Sequence, residues 1–385
     1  MCWGATGLGG EEREGLATMQ EMAAGGAFAD LRFLKDYVVC HGTAPRHTTT
    51  YTRGTFPEDE TFTLGEWKEG FRIKILEISE DDMTFDMSGL DVSIANALRR
   101  LLLSEVPTVA IEKVFITNNN GVLRDELLAH RLGLIPIKVD PSSFNFPSAA
   151  TKSATFDSEL NPEEVLKFQL KVKCRREAGA GRDQEPINSK VLSKQLEWVP
   201  IGDQEEKFVN DRPEPVHSDI LITRLRPGQE IDLVMHCHKG NNCGERGHAK
   251  WSPVATAWYR LLPRIDIVQE VEGEDAEALV QKCPMSCFDM EDLGDRRRAV
   301  VSDKFRDCTL CRECVREPRF AQKVRLARKK DHFIYKIEST GIIRPAELFK
   351  QAVKTLHAKA ALLLQEVEDL EGQALVDAQA DDMHE

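Results

Sequence analysis

From residue 71 the chain alternates between apolar and charged side chains. Phe71, Ile73 and Ile75 interleave with Arg72 and Lys74, the period of a half-buried strand. TFDMSGL, from Thr84, predicts a strand partner for it. In DVSIANALRRLLLSEVP the period lengthens. Ile94, Ala97, Leu98, Leu101 and Leu102 fall on one helical face, and Leu103 and Val106 widen the stripe. Asp91 or Ser93 can cap this helix and Pro107 stops it. A helix so apolar must pack on the sheet and on something else. TVAIEKVFI returns to strand, Asn118, Asn119, Asn120 and Gly121 make a turn, and VLRDELLAHRLGL predicts a short helix ended by Gly133 and Pro136. From about residue 140 to about 250, strand-like runs (LKFQLKVKC, ILITRL, EIDLVMHCH) sit among polar loops and read as a separate β-rich unit. WSPVATAWYRLLPRIDIV resumes strand pattern, and HFIYKIEST places Phe333, Tyr335 and Ile337 on one face. In PAELFKQAVKTLHAKAALLLQEVEDL, residues Phe349, Val353, Leu356, Ala360, Leu363, Val367 and Leu370 follow alternating steps of four and three. That is a heptad seam some 25 residues long, or roughly 37 Å of helix, with Pro345 at a favourable start position. A seam that outlasts a typical globular helix predicts an intermolecular interface.

Composition narrows the class. The chain has 385 residues, 41% hydrophobic and 30% charged, which predicts a soluble protein of two or three domains. No apolar run approaches the roughly 20 residues of a membrane span. Residues 1–60 are rich in Gly, Thr and charge and predict a flexible arm, and MCWGATGLGG lacks the basic and apolar regions of a secretory leader. A net charge of −13 argues against a nucleic-acid-binding surface over the whole protein, although Arg296–Arg298 and Arg316–Lys330 are locally basic. Nucleophile-elbow, P-loop and HExxH motifs and an Asp-rich metal triad are all absent, so no catalytic residue is assigned.

Ten cysteines without a leader favour reduced thiols or a metal site over a disulfide framework. Half of them lie in CPMSCFDMEDLGDRRRAVVSDKFRDCTLCREC, from Cys283. Cys308, Cys311 and Cys314 match the first three positions of a ferredoxin C-x2-C-x2-C-x3-C-P run, with Pro318 at the fourth. Cys283-Pro284 matches the end of an earlier copy whose first three positions have become Gly273, Ala276 and Leu279. Cys283, Cys308, Cys311 and Cys314 are therefore the ligands of one cluster after loss of the other. The set fits a [4Fe–4S] cluster, a structural zinc ion, or a metal-free scaffold of ordinary thiols. Cys287 falls outside it. His236, Cys237, His238, Cys243 and His248 match no common zinc spacing and read as structural residues.

DVSIANALRRLLLSEVPTVAIEKVFI, VLRDELLAHRLGLIPI and GHAKWSPVATAWYRLLP together resemble the alpha-like assembly subunits of DNA-directed RNA polymerases, a family with bacterial, archaeal and eukaryotic members. The resemblance covers about residues 61–372. The interval from Asp140 to Met235 holds only Cys174, which departs from the zinc loop of the polymerase II member. RLLLSEVPTVAIEKVFI followed by NNN is most similar to the large alpha-like subunit shared by polymerases I and III, and the cysteine set resembles that of the archaeal members.

The resemblance implies an α+β fold. A discontinuous dimerisation domain (61–105 and 323–372) would carry an inserted β-rich domain (106–250) and, after a junction at 251–268, a ferredoxin-like insertion (269–322), with an acidic tail at 373–385. It implies a non-catalytic assembly subunit of polymerases I and III, heterodimerising with a smaller alpha-like subunit. The dimer interface would use Ile94, Leu98, Leu101 and Leu102 together with Phe349, Val353, Leu356, Ala360, Leu363, Val367 and Leu370. Arg99, Arg100, His130 and Arg131 would face the large catalytic subunits, which hold the active site. Nucleic acid would be met only through the assembled polymerase, no membrane is involved, and the location is the nucleus, in nucleolus and nucleoplasm. The alternative is an autonomous iron–sulfur redox protein.

Overall fold

The computed structural model describes residues 33, 34, 36–40, 42 and 63–382, apart from 157, 178–184, 244–246 and 295, with side chains through 371. The chain is mixed α+β, as the resemblance implies. Its elements begin with β1 (Tyr37–Cys40), α1 (Leu64–Gly70), β2 (Arg72–Ile78), β3 (Asp82–Ser88), α2 (Val92–Ser104), β4 (Thr108–Asn119), α3 (Asp125–Gly133) and β5 (Ile137–Lys138). The middle holds α4 (Ala149–Ser153), β6 (Val165–Lys173), β7 (Lys190–Leu192), β8 (Glu197–Val199), α5 (Gln204–Lys207), β9 (Glu214–Pro215), β10 (Leu221–Arg224) and β11 (Glu230–Gly240). Then come β12 (Val254–Ile267), α6 (Gly273–Lys282), β13 (Phe288–Asp292), β14 (Arg297–Val301), α7 (Glu313–Arg316), α8 (Pro318–Ala321), β15 (Val324–Ser339) and α9 (Pro345–Asp382).

A five-stranded sheet runs in the order β1-β15-β3-β2, with β12 also paired to β15. The chain folds as two compact units, one of Met1–Lys74, Asp86–Val92 and Tyr259–Ile334, the other of Ile75–Phe85, Ser93–Trp258 and Tyr335–Glu385.

In the first unit, the hairpin of β13 and β14 pairs from Phe288↔Val301 to Asp292↔Arg297, and α6 buries Ala276 and Leu279. These residues share one apolar core with Ile265, Phe320, Val324 and Leu326. The segment 269–322, expected as an inserted domain, therefore shares its core with flanking strand residues. Asp86 is buried and takes two bonds from Arg306, at 3.0 and 2.7 Å, while His332 Nε2 lies 3.2 Å from it. Burial opposes the charge of Asp86, but Arg306 and His332 outweigh it and hold the carboxyl below its usual range. Of the expected flexible arm, most lies outside the described residues, while Tyr37–Cys40 is paired as β1.

The second unit is built on a four-stranded sheet, β4-β11-β6-β8. Strands β4 and β6 flank β11 antiparallel over nearly its whole length. Their inward residues, among them Ile111, Leu166, Phe168, Leu170, Leu233 and Met235, form its core with Leu128 and Leu132 of α3. The HAKWSPV run closes one end of this sheet. Trp251 Nε1 donates to the His238 carbonyl at 3.3 Å, and Thr108 Oγ1 donates to the Trp251 carbonyl at 2.8 Å. The indole lies so close to Gly240 that a Cβ there would stand 2.4 Å from Trp251 Cε2.

Helices α2 and α9 belong to the same unit. Helix α2 buries Ala95, Leu98, Leu101 and Leu102, spaced for a single face. Tyr335 is fully buried and donates its hydroxyl to the Ala95 carbonyl at 3.2 Å. Phe85 stacks on Tyr335 at 5.2 Å and meets Phe349 edge-on at 5.0 Å. Helix α9 continues to Asp382, into the segment expected as an acidic tail.

Candidate dimerisation surface and cysteine cluster

The two apolar stripes of the sequence fare differently. Leu98, Leu101 and Leu102 lie in the chain's own core, at 5% exposure or less, so they support a surface without presenting it. Ile94, one turn earlier, is exposed. On α9 the buried positions after Pro345 are Leu348 and Ala352, one residue before the predicted seam residues Phe349 and Val353. Intramolecular packing thus takes the adjacent stripe. Phe349 and Leu356 are half-buried, while Val353, Ala360, Leu363, Val367 and Leu370 stay outside.

Beyond Ala352 the helix leaves the core. Leu362, Leu363, Leu364 and Leu370 are 57–65% exposed, and every described side chain from His357 to Glu371 is exposed. Lys359 anchors this stretch by pairing with Glu105 at 2.8 Å, just past the end of α2. Strand β2 also differs from expectation. Alternation predicted one buried face, yet all seven of its residues are exposed, including Ile75, Leu76 and Ile78. It is the terminal strand of its sheet and is apolar on both faces, since Ile73 and Ile75 point one way and Leu76 and Ile78 the other. The signal was available: a strand with Ile or Leu on both faces is meant to be covered on both.

The residues expected to face large subunits are divided. Arg99 bonds Asn96 within α2 at 2.9 and 3.1 Å, and Arg100 is exposed beside it. His130 meets His248 ring to ring at 5.8 Å. Arg131 is structural as well as exposed: its Nε and Nη2 donate to the carbonyls of Ile222 and Leu221 at 2.9 and 2.6 Å, tying α3 to β10.

Cys308 and Cys314 are buried in the first unit's core, Cys283 is partly exposed and Cys311 is exposed. Cys287, outside the sequence-derived set, is buried beside them. Its amide donates to Cys283 Sγ at 3.3 Å, and the Leu310 amide donates to Cys308 Sγ at 3.4 Å. Burial, and then the neighbouring Cys308, Cys311 and Cys283, push the Cys314 thiol up to about 12. Burial first and Cys283 and Cys308 next push Cys287 up as well. Among the described residues, no group of three or more His, Cys, Asp or Glu side chains is placed to hold a metal ion. The expected cage of Cys283, Cys308, Cys311 and Cys314 is gathered in one region but not closed around a centre.

A family profile described as the RNA polymerase Rpb3/Rpb11 dimerisation domain matches residues 84–360, which include most of β3, all of α2 and the start of α9. The chain belongs to this family. Within it, the chain is 47% identical over 326 residues to the "DNA-directed RNA polymerases I and III subunit rpac1" of Dictyostelium discoideum, covering 83% of this chain and 90% of the relative. The human protein of the same description is 41% identical over 84% of this chain and 92% of the relative. That of Saccharomyces cerevisiae is 39% identical over 82% and 94%. These relatives place the chain in the branch of large alpha-like subunits shared by polymerases I and III, and their descriptions name a polymerase subunit where the alternative reading had an autonomous redox protein.

Proposed function

We propose that this protein is a non-catalytic assembly subunit of nuclear RNA polymerases I and III. It heterodimerises with a smaller alpha-like subunit, and the pair forms the platform on which the large catalytic subunits assemble to transcribe ribosomal, transfer and 5S RNA. The observation that carries the reading is the unpartnered apolar surface of the second unit. Helix α9 presents Val353, Leu363, Leu364, Val367 and Leu370 to solvent, and β2 adds Ile75, Leu76 and Ile78. Covering one such leucine contributes roughly 1.5–3 kcal/mol, so the set supports a stable interface even after association costs. A surface of this kind on an isolated chain marks a protein contact. The resemblance supplies the partner's identity, and Arg100, His130 and Arg131 are the exposed positions offered to the large subunits.

Co-expression tests the reading. The chain with a small alpha-like partner should elute as a one-to-one complex on size exclusion, and the chain alone should aggregate. The double variant Leu363→Glu, Val367→Glu should abolish the complex. A soluble monomer with no affinity for the partner would overturn the proposal. A metal at Cys283, Cys308, Cys311 and Cys314, iron–sulfur or zinc, is a separate proposal, supported by the gathering of Cys283, Cys308 and Cys314 in one core. Iron, sulfide and zinc analysis of anaerobically purified protein tests it, and the dimerisation reading does not depend on the result.

A further inference from the structure

We infer that the N-terminal strand β1 is a strap that seals the cysteine-bearing core of the first unit, so that release of the strap controls chemical access to Cys308 and Cys314. The strap pairs antiparallel with β15 through Tyr37↔Lys329, Val38↔Arg328, Val39↔Ala327 and Cys40↔Leu326. Alternation turns Val38 and Cys40 inward, at 0% and 3% exposure. Cys40 joins the same apolar cluster as Cys308, Cys314, Val315 and Leu326.

Four paired residues are marginal by themselves. The strap is held by fastenings at both ends. At its start, Phe33 and Tyr37 stack at 4.5 Å, and the Arg264 guanidinium lies over both rings, 5.4 and 4.6 Å from their centres. Arg325 covers Phe33 at 4.8 Å, and Lys330 Nζ donates to the Leu34 carbonyl at 2.7 Å. Past its end, Gly42 lies against α7. A Cβ there would stand 2.6 Å from the Val315 carbonyl oxygen, and Val315 directly follows Cys314. Only glycine permits the backbone to run that close to the helix carrying the thiol.

The consequence is chemical. With the strap seated, Cys308 and Cys314 are 7% and 8% exposed, and alkylating agents, oxidants and soft metal ions reach them only when it opens. The strap is made from the part of the sequence with least periodicity, and a low-stability element of this kind opens before the rest of the unit.

Peptide-resolved N-ethylmaleimide labelling of the full chain tests the inference. Gly42→Val drives a side chain into the Val315 carbonyl, and the pair Tyr37→Ala, Arg264→Ala removes the stacked fastening without touching Gly42. In each variant, labelling of Cys40, Cys308 and Cys314 should accelerate by about tenfold or more. Cys174 and Cys237, both 0% exposed in the other unit, should keep their wild-type rates and report against general unfolding. Hydrogen exchange over 308–316 should loosen in parallel, whether or not the thiols hold a metal. The inference fails if Cys40 labels fast while Cys308 and Cys314 stay slow. It also fails if Cys40 itself stays protected in both variants, or if the Tyr37, Arg264 pair accelerates all five thiols alike.

Discussion

His236 should make the β-rich core acid-labile by a calculable amount. The ring sits on β11 at 1% exposure, 4.8 Å from the Phe115 ring, with Lys113 of β4 and Lys167 of β6 opposite it in register. Burial first, then His238, Lys167 and Lys113, depress it from 6.5 to about 4. The folded state therefore holds this imidazole neutral at a pH where the unfolded chain protonates it. The unfolded state binds more protons below pH 6.5, so stability is complete above that value and falls as pH drops toward 4. The slope is ~1.4 kcal/mol per pH unit, which makes the loss about 2 kcal/mol at pH 5. His238 is depressed by burial and by Lys113 and adds a loss of the same sign.

The assay is hydrogen exchange of the β11 amides at pH 7 and pH 5, corrected for intrinsic rates. It reads the local opening equilibrium without assuming that two units unfold together. Wild type should lose protection by about thirtyfold or more between the two pH values. His236→Phe suits a slot beside Phe115 and removes the titrating ring, and it should cut the loss by about 2 kcal/mol. An equal loss in variant and wild type would refute the argument. It would mean that the buried imidazole is not what charges when the sheet opens.

Other substitutions probe the remaining supports. Phe85→Ala would empty the space between Tyr335 and Phe349 and should cost about 3–5 kcal/mol, read as a lowered denaturation midpoint. Asp86→Asn leaves the Arg306 guanidinium without its carboxylate and should cost roughly 3–5 kcal/mol at neutral pH. Because the Asp86 carboxyl is held low, that contribution is present above its ordinary value of 3.8 and disappears as pH falls through the depressed one, so variant and wild type should converge in acid. Gly240→Ala pushes a Cβ into the Trp251 indole and should destabilise the sheet by roughly 1–3 kcal/mol, seen in Trp fluorescence melts. Leu370→Glu, on an exposed stretch of α9, should change the chain's own stability by less than about 0.5 kcal/mol while weakening the heterodimer in a pull-down.

What the sequence could reveal depended on how local each signal was. Helix α2, strand β3 and helix α9 were legible because their apolar period is contained in the element itself. On α9 the sequence predicted an intermolecular seam, but which stripe the chain's own core takes was not legible. Leu348 and Phe349 are both apolar, and only the packing of Leu348 and Ala352 shows which stripe the chain keeps for itself. β15 was visible only from His332 onward. Its first half, VRLARKKD, reads as a basic run, yet Val324 and Leu326 point inward while Arg325 between them turns to the opposite face. β1 was invisible because YVVC is too short to stand out in a polar arm, and its partner lies almost three hundred residues away along the chain.

The same distinction separates the two candidate sites. An interface leaves a trace in one chain, because residues that a partner will cover must be apolar whether or not the partner is present. β2 and α9 show that trace in both sequence and structure: each carries apolar side chains that the chain's own fold leaves in water. A metal centre leaves a weaker one. Its ligand spacing can survive as a scaffold, since Cys283, Cys308 and Cys314 also serve as small apolar residues packed in a common core with Phe288 and Phe320. Cys311 is the discriminating residue. It is exposed and contributes nothing to that core, so packing gives no reason for a thiol there. Cys311→Ser should therefore leave the melting temperature unchanged if the set is only a scaffold, and should lower it if the four thiols share a metal.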